Sequence, residues 1–313
     1  MWNYIGRRIL ATIPVLLTVA VLVFLMLRLT PGDPAAVIAG DAATTQDVAE
    51  IRAKLGLDRP VVTQFFIWIG RGLQGDFGES FFYKKTVASL IADRIEPTLA
   101  LATLTIILAT LIAVPLGTLA AYRQGSWIDR IVMAISVIGF SVPVFVIGYV
   151  LIYVFALQLG WFPVQGYQRL ADGFGGFLHR LMLPSITLAM VFVALLARMT
   201  RTSVLEVLNE DYVRTARAKG LPNLKVLVFH ALRNAAVPIV TVIGLGIAVL
   251  IGGVVVTESV YNIPGLGRLT VDAVLARDYP TVQAVILLFS FAYVAINLAI
   301  DLTYTVLDPR IRY

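Results

Sequence analysis

The chain has 313 residues, 59% of them hydrophobic and 14% charged, with a mean hydropathy of +0.87. A soluble domain carries about 25% charged residues, so this composition excludes a disordered chain and an ordinary water-soluble enzyme and points to a membrane protein. Cysteine is absent, which removes disulfides, thiolate nucleophiles and cysteine metal sites.

A bilayer core takes roughly 20 apolar helical residues to cross. Charge-free intervals of that size run over residues 9–27, 97–122 and 131–168, the last leaving room for an outer loop from Trp161. Residues 181–197 form a shorter interval that extends past Arg198 if that side chain snorkels. Residues 234–257 and 279–300 complete a set of six predicted spans. The first interval has 19 residues, longer than the roughly 7–15 of a signal-peptide core, and no small-x-small site follows it, so it reads as a retained helix.

The formal charge of +6 is a topology signal. With the N-terminus inside, Arg7, Arg8, Arg123, Arg130, Arg198, Arg201, Arg214, Arg217, Lys219, Lys225, Arg233, Arg310 and Arg312 all lie on the inner face. The outer loops hold Arg169, Arg180, Arg268 and Arg277, balanced by acids such as Glu258, Asp272 and Asp278. Both termini are therefore expected in the cytoplasm. Nothing in this pattern is a nucleic-acid footprint.

Residues 31–96 are too long for a bare outer loop. Thr44 and Asp47 resemble a capping box, Glu50 precedes Lys54 by four residues, and Gly56 is a stop, which predicts a helix with Val48, Ile51 and Leu55 on one face. A second predicted helix, over 60–73, carries Val61, Val62, Phe65, Phe66, Trp68 and Ile69 and suits the membrane surface. The segment is either a packed cap over the bundle or a receiver for a delivered substrate.

The inner loop at 202–233 is the only one with room for a helix. Asn209 is a good N-cap, Glu210 and Asp211 place acids in a first turn, and Arg217 and Lys219 place bases in a last turn. Gly220 supplies a left-handed stop and Pro222 forbids continuation. These signals predict a helix over 210–219, with a second from Leu224 through Arg233. Such a helix either docks on a partner or packs as a connector on its own bundle.

Much chemistry is missing. No Gly-Lys dipeptide occurs, so no Walker A loop, and no His-Glu-x-x-His or Gly-x-Ser-x-Gly. His179 and His230 fall on opposite sides of the membrane in this topology. The ionisable residues Arg28, Arg198, Glu258 and Asp301 lie near span ends, whereas a proton-driven pump needs midplane carboxylates. Pro14, Pro115, Pro143, Pro184 and Pro238, with Gly244, Gly246, Gly252 and Gly253, permit bending and close helix packing.

The run Glu210-Asp211-Tyr212-Val213-Arg214-Thr215-Ala216-Arg217-Ala218-Lys219-Gly220 resembles the coupling-helix loop of membrane subunits in binding-protein-dependent ABC importers. More closely, the chain resembles the B-type permease subunit of the dipeptide/oligopeptide/nickel group. The supporting motifs are Leu27-Arg28-Leu29-Thr30-Pro31-Gly32-Asp33-Pro34-Ala35, Gly75-Asp76-Phe77-Gly78-Glu79-Ser80, and Glu258-Ser259-Val260-Tyr261-Asn262-Ile263-Pro264-Gly265-Leu266-Gly267. Asp278-Tyr279-Pro280 with Gln283, and the ending Asp308-Pro309-Arg310-Ile311-Arg312-Tyr313, agree as well. One departure stands out: the broad family pattern has Glu-Ala-Ala where this chain has Arg214-Thr215-Ala216, so any role of that glutamate is absent here.

The resemblance implies an all-α, type I importer permease fold: a first helix at 1–30, a periplasmic helical segment at 31–96, and a five-helix core at 97–313. It implies a non-catalytic pore subunit with no metal and no cofactor of its own, ATP and magnesium belonging to one or two cytoplasmic ATPase partners. A C-type permease would complete the pore, and a periplasmic or lipid-anchored binding protein would deliver dipeptides or oligopeptides. Nickel, glutathione, an opine or a sugar are alternative cargoes. Residues 210–220 would couple to the ATPase, and Glu258, Pro264, Gly265 and Gly267 would belong to the outer-face loop. A stand-alone secondary transporter and a membrane-embedded enzyme are the competing readings. Neither has the residue set it needs.

Overall fold

The computed structural model describes residues 2–29, 35–36, 44–54 and 56–307. The regular elements among them are helices, accompanied by one isolated bridge between Glu79 and Thr86. This is the outcome hydrocarbon enforces, because a helix satisfies its backbone polar groups within its own segment. The motif residues at 30–34 and 308–313 lie outside the described residues, as do the side chains of Arg28, Asp47, Ile51 and Leu55.

The chain forms two compact units, Met1–Ile95 with Leu269–Val294 and Glu96–Arg268 with Ala295–Tyr313. In the first unit, α1 (Trp2–Leu29) is a 28-residue apolar helix, about 42 Å long at 1.5 Å per residue. Helix α2 (Thr45–Lys54) starts directly after Thr44, and Gly56 follows it at φ +65° as the expected stop. Helix α3 (Val61–Leu73) begins one residue after the expected start, Pro60 serving as its N-cap, and ends at the expected residue. Its aromatic side chains seat it on α1: Phe24 packs edge-on to Phe65 at 5.2 Å and against Trp68 at 5.6 Å.

Helix α4 (Val87–Tyr122) runs for 36 residues and contains Pro97 and Pro115. It starts ten residues before the charge-free interval suggested, since Asp93, Arg94 and Glu96 continue the helix beyond the apolar stretch. Charge marks where hydrocarbon ends, and a helix has no reason to end there.

The expected third span is a bent pair of helices. Residues 127–158 form α5 (Trp127–Ser141) and α6 (Val144–Leu151), the latter continued by a π-helical turn at Ile152–Gln158, with a 103° bend between them. The break is local stereochemistry. Pro143 excludes the helical region for the preceding residue, and Val142 is extended at φ −92°, ψ 126°. Helix α5 alone, 15 residues or about 22 Å, is shorter than a bilayer core of about 30 Å.

Helix α7 (Phe174–Leu208) is the centre of the second unit and passes through Pro184 without a break. It packs against α5, α6 and α9 (Ala236–Val260). One core layer gathers Leu101, Leu181, Leu188, Phe192, Leu250 and Tyr261, and another gathers Ala113, Ala120, Leu196, Val204, Ala235 and Ile239. The predicted helix from Leu224 through Arg233 is instead a short turn followed by a π-helix at Val226–Leu232, bent by 60° from α9. Helices α10 (Leu266–Leu275) and α11 (Tyr279–Leu307) close the described chain.

Two interactions in this unit went unread in the sequence. Asp129, 4% exposed, forms a bidentate pair with Arg201 at 2.5 and 2.7 Å and also accepts the Gly125 N–H, joining α5 to α7. The Tyr261 hydroxyl meets the Thr187 hydroxyl at 2.7 Å and donates to the Gly148 carbonyl at 3.3 Å.

The glycine expectation holds on α9. A Cβ on Gly246 would overlap the Phe192 ring, and one on Gly244 would overlap Ile300. Gly246→Ala is therefore expected to cost about 1–3 kcal/mol, read as a lowered thermal-unfolding midpoint in detergent, with partial recovery when Phe192→Leu is added. An unchanged midpoint in the single variant would contradict this packing.

Candidate functional site

Two constellations from the sequence assemble at opposite ends of α9. The first is α8 (Asp211–Ala218), which the sequence placed within one residue at each end. The expected cap is corrected. Glu210, extended at φ −69°, ψ 146°, is the N-cap and makes no side-chain cap bond. Asn209 instead terminates α7, its amide donating to the Leu205 carbonyl at 3.0 Å. Helix α7 runs to Leu208, so the residue with the best capping chemistry is already committed to the preceding helix.

The C-terminal stop is as expected. Gly220 adopts φ +76°, its N–H bonds the Arg217 carbonyl at 2.9 Å, and Leu221 N–H reaches back to the Ala216 carbonyl at 3.3 Å. This is the wrap that glycine permits at a helix end. Pro222 then opens the next turn.

Helix α8 has two faces. Val213 and Ala216 are buried with Val226 against Val207, Leu208 and Leu221. The opposite side exposes Asp211, Arg214, Thr215, Arg217, Ala218 and Lys219. Arg214 reaches Asp211 at 3.3 Å, with 71% and 95% of their side chains exposed, so this pair contributes little to holding the helix. Tyr212 is partly covered. Burial raises its phenol above the ordinary tyrosine range and the Glu210 charge adds to that, while a side-chain hydrogen bond with Asn234 opposes both. The helix packs on its own bundle by one face, as the connector reading expects, and exposes a polar face on the other.

The second constellation is built on Glu258, fully buried in the last turn of α9. Its carboxylate accepts the Thr98 hydroxyl at 2.6 Å and the Arg268 N–H at 2.9 Å. Thr98 in turn accepts the Leu266 N–H at 2.8 Å, so one carboxylate and one hydroxyl hold the turn after α9 to α4. Gly265 and Gly267 are needed because a Cβ on either would strike the Glu258 carboxylate, and at Gly267 also Val255. Pro264, immediately before Gly265, is exposed. The sequence grouped these residues as one loop. It did not reveal Thr98, which is 160 residues away from Glu258.

Nearby in the second unit, Glu96 accepts the Tyr167 hydroxyl at 3.0 Å and the Leu170 N–H at 2.9 Å, pinning the turn after the α6 π-helix. Burial, and next the bond to Glu96, raise the Tyr167 phenol.

In the first unit, two motifs that are distant in sequence meet. Asp278, fully buried, accepts the Ser80 hydroxyl at 2.5 Å, the Phe81 N–H at 3.1 Å and the Thr281 hydroxyl at 2.7 Å. Tyr83 follows, bonded to Asp272 at 3.3 Å with the Arg94 guanidinium 5.2 Å from its ring centre. Gln283 donates to the Val23 carbonyl at 3.0 Å.

Glu258→Gln puts an amide donor where the carboxylate accepts the Thr98 hydroxyl and the Arg268 N–H. It is expected to lower the unfolding midpoint by the equivalent of about 1–3 kcal/mol, and Glu258→Ala to do so more severely. A midpoint unchanged in both variants would remove Glu258 as the tie.

Comparison with known proteins agrees with the architecture. Residues 113–313 match the family of binding-protein-dependent transport system inner membrane components, and residues 1–102 match the N-terminal region described for such membrane components. A probable peptide ABC transporter permease protein of Sinorhizobium fredii is 54% identical over 313 residues, covering 100% of both chains. A glutathione transport system permease protein of Salmonella choleraesuis is 46% identical, again over 100% of both chains. In fold, a chain of the MetNI methionine ABC transporter in an inward-facing conformation matches at a TM-score of 0.59 and 19% identity, covering 70% of this chain and 96% of that one.

Proposed function

The chain belongs to the family of binding-protein-dependent transport system inner membrane components, and from that premise we propose that it is one half of the pore of an ATP-driven peptide importer. The observation that carries this reading is α8: a short helix stopped by Gly220 and seated by Val213 and Ala216, with a free face of Asp211, Arg214, Thr215 and Ala218. The chain has no nucleotide-binding loop of its own, so the free face is where an external ATPase, carrying ATP and magnesium, takes hold.

The proposed topology has six crossings, α1, α4, the bent α5–α6 pair, α7, α9 and α11, with both termini in the cytoplasm. The concentration of arginine and lysine at the ends joined by 123–130 and 198–233 supports that orientation. Residues 31–96 would then form a cap on the outer face, where a binding protein delivers cargo. A second, C-type permease would complete the pore.

The coupling route is short. Closure of the ATPase dimer displaces α8; α8 is packed on the end of α7 and on the π-helix at Val226–Leu232, and that π-helix leads directly into α9. Helix α9 spans 25 residues, about 37 Å, and carries the Glu258 tie at its far end. A push at one end therefore reaches the outer turn through a single helix, and hydrolysis reverses it.

Dipeptides or oligopeptides are the proposed cargo, from the peptide permease relative. Glutathione, itself a short peptide, fits equally, from the relative that carries that name.

Gly220 is the test position. Proline cannot adopt its φ of +76° and would delete the N–H that bonds Arg217. Gly220→Pro is expected to abolish substrate-stimulated ATP hydrolysis by the reconstituted complex while the chain remains inserted in the membrane. Normal stimulation in an inserted variant would contradict the docking role of α8.

A further inference from the structure

The second unit carries an apolar groove that neither the coupling helix nor the Glu258 tie uses. It has a volume of about 310 Å³ and is walled by Leu116 and Leu119 of α4, by Trp127, Ile128, Ile131, Val132, Ile135 and Ser136 of α5, and by Val193 and Ala197 of α7. Its lining presents no polar surface, since the Ser136 hydroxyl is turned onto the Val132 carbonyl at 2.8 Å. Leu119, Ile131 and Ile135 are 41%, 48% and 58% exposed, so the groove opens to the surroundings of the helices along its length.

One end of the groove differs from the rest. Leu116, Leu119 and Arg123 recur at three and four residues along α4, which places all three on the same side. The Arg123 N–H bonds the Leu119 carbonyl at 2.9 Å, so the helical turn continues that far. Arg123 is exposed and pairs with no carboxylate among the described residues; the nearby acid, Asp129, is already taken by Arg201 and the Gly125 N–H. Four residues further along the chain, Trp127 lines the groove and stands 71% exposed at the first turn of α5. An amphipathic indole and a cation at the end of an otherwise apolar channel are what a membrane–water boundary selects.

We propose that this groove is a binding site for an anionic phospholipid, one acyl chain lying between α4, α5 and α7 and the phosphate-bearing headgroup held by Arg123 beside Trp127. The chemistry separates this from ordinary lipid contact. Any exposed apolar face is covered by acyl chains, but a recess formed by three helices with a cation at its mouth selects among headgroups. A peptide substrate does not fit the groove, because an apolar lining leaves its backbone polar groups unsatisfied. A helix of a second permease is the competing occupant. That arrangement would bury Arg123 without a counter-charge from this chain.

The test uses the full chain in its own membrane. A photoreactive p-benzoylphenylalanine is placed at Ile131, on the groove wall, and separately at Leu111 of α4, which is 67% exposed and outside the groove. Adducts formed on irradiation are identified by mass spectrometry; Leu119 serves as the groove position if the Ile131 replacement fails to insert. The site predicts phospholipid adducts at the groove position, enriched in anionic headgroups about fivefold over those at Leu111, the selectivity of one arginine at a membrane surface. Arg123→Gln should return the headgroup ratio to that of Leu111 while leaving adduct yield unchanged. A polypeptide adduct, equal headgroup ratios at the two positions, or an enrichment indifferent to Arg123→Gln would each overturn the proposal.

Discussion

A carboxylate taken out of water has to recover its hydrogen bonds from the protein, and three buried carboxylates decide how this chain is tied together. Glu258 joins the turn after α9 to Thr98 of α4, Asp278 joins Ser80 and Phe81 to the start of α11, and Asp129 joins α5 to α7. The apolar surfaces of these helices would pack acceptably in several registers, since neighbouring lipid is as apolar as leucine. A carboxylate that meets specific N–H and O–H donors does not tolerate such sliding, because each lost donor leaves a buried polar group unpaired. All three acids sit at or close to helix ends, where backbone N–H groups are available to them. Hydrophobicity puts the chain in the membrane, and these ties fix which turns meet.

The same logic connects the two candidate regions. Helix α8 is short and its own ion pair is solvent-exposed, so its position depends on Val213 and Ala216 filling a pocket made by the end of α7 and the π-helix before α9. The π-helix and the 60° bend concentrate irregular backbone where α8 rests, while α9 beyond it runs unbroken to Glu258. Irregularity at one end of a stiff element and a tight anchor at the other suit a lever. The broken α5–α6 pair is a second place where regular hydrogen bonding is interrupted, and there the cause is Pro143.

The sequence made some of this legible and concealed the rest for identifiable reasons. The α8 boundaries were readable because acids, bases, glycine and proline all agreed within a dozen residues. Asn209 misled because capping propensity is a property of one residue, whereas its actual bond depends on how far α7 extends. Pro143 and Pro184 look alike in a charge-free interval, yet one breaks a helix and the other lies inside α7. What separates them is the residue before each: Val142 is extended, whereas Leu183 lies within the helix, a difference that the two prolines do not announce in the sequence. The ties made by Thr98, Asp129 and Ser80 were missed because their partners are 160, 72 and 198 residues away. Short-range patterns identify an acid near a span end but not the donor that it will meet.

The central claim is that the free face of α8 exists to be held by another protein. Its most direct measurement is affinity purification of the intact chain from its native membrane in mild detergent, with mass spectrometry of everything retained. The proposed importer predicts recovery of a second multi-span permease together with one or two ATPases bearing nucleotide-binding loops. Recovery of the chain alone, intact and in several detergents, would contradict it and would make a self-sufficient transporter the better reading.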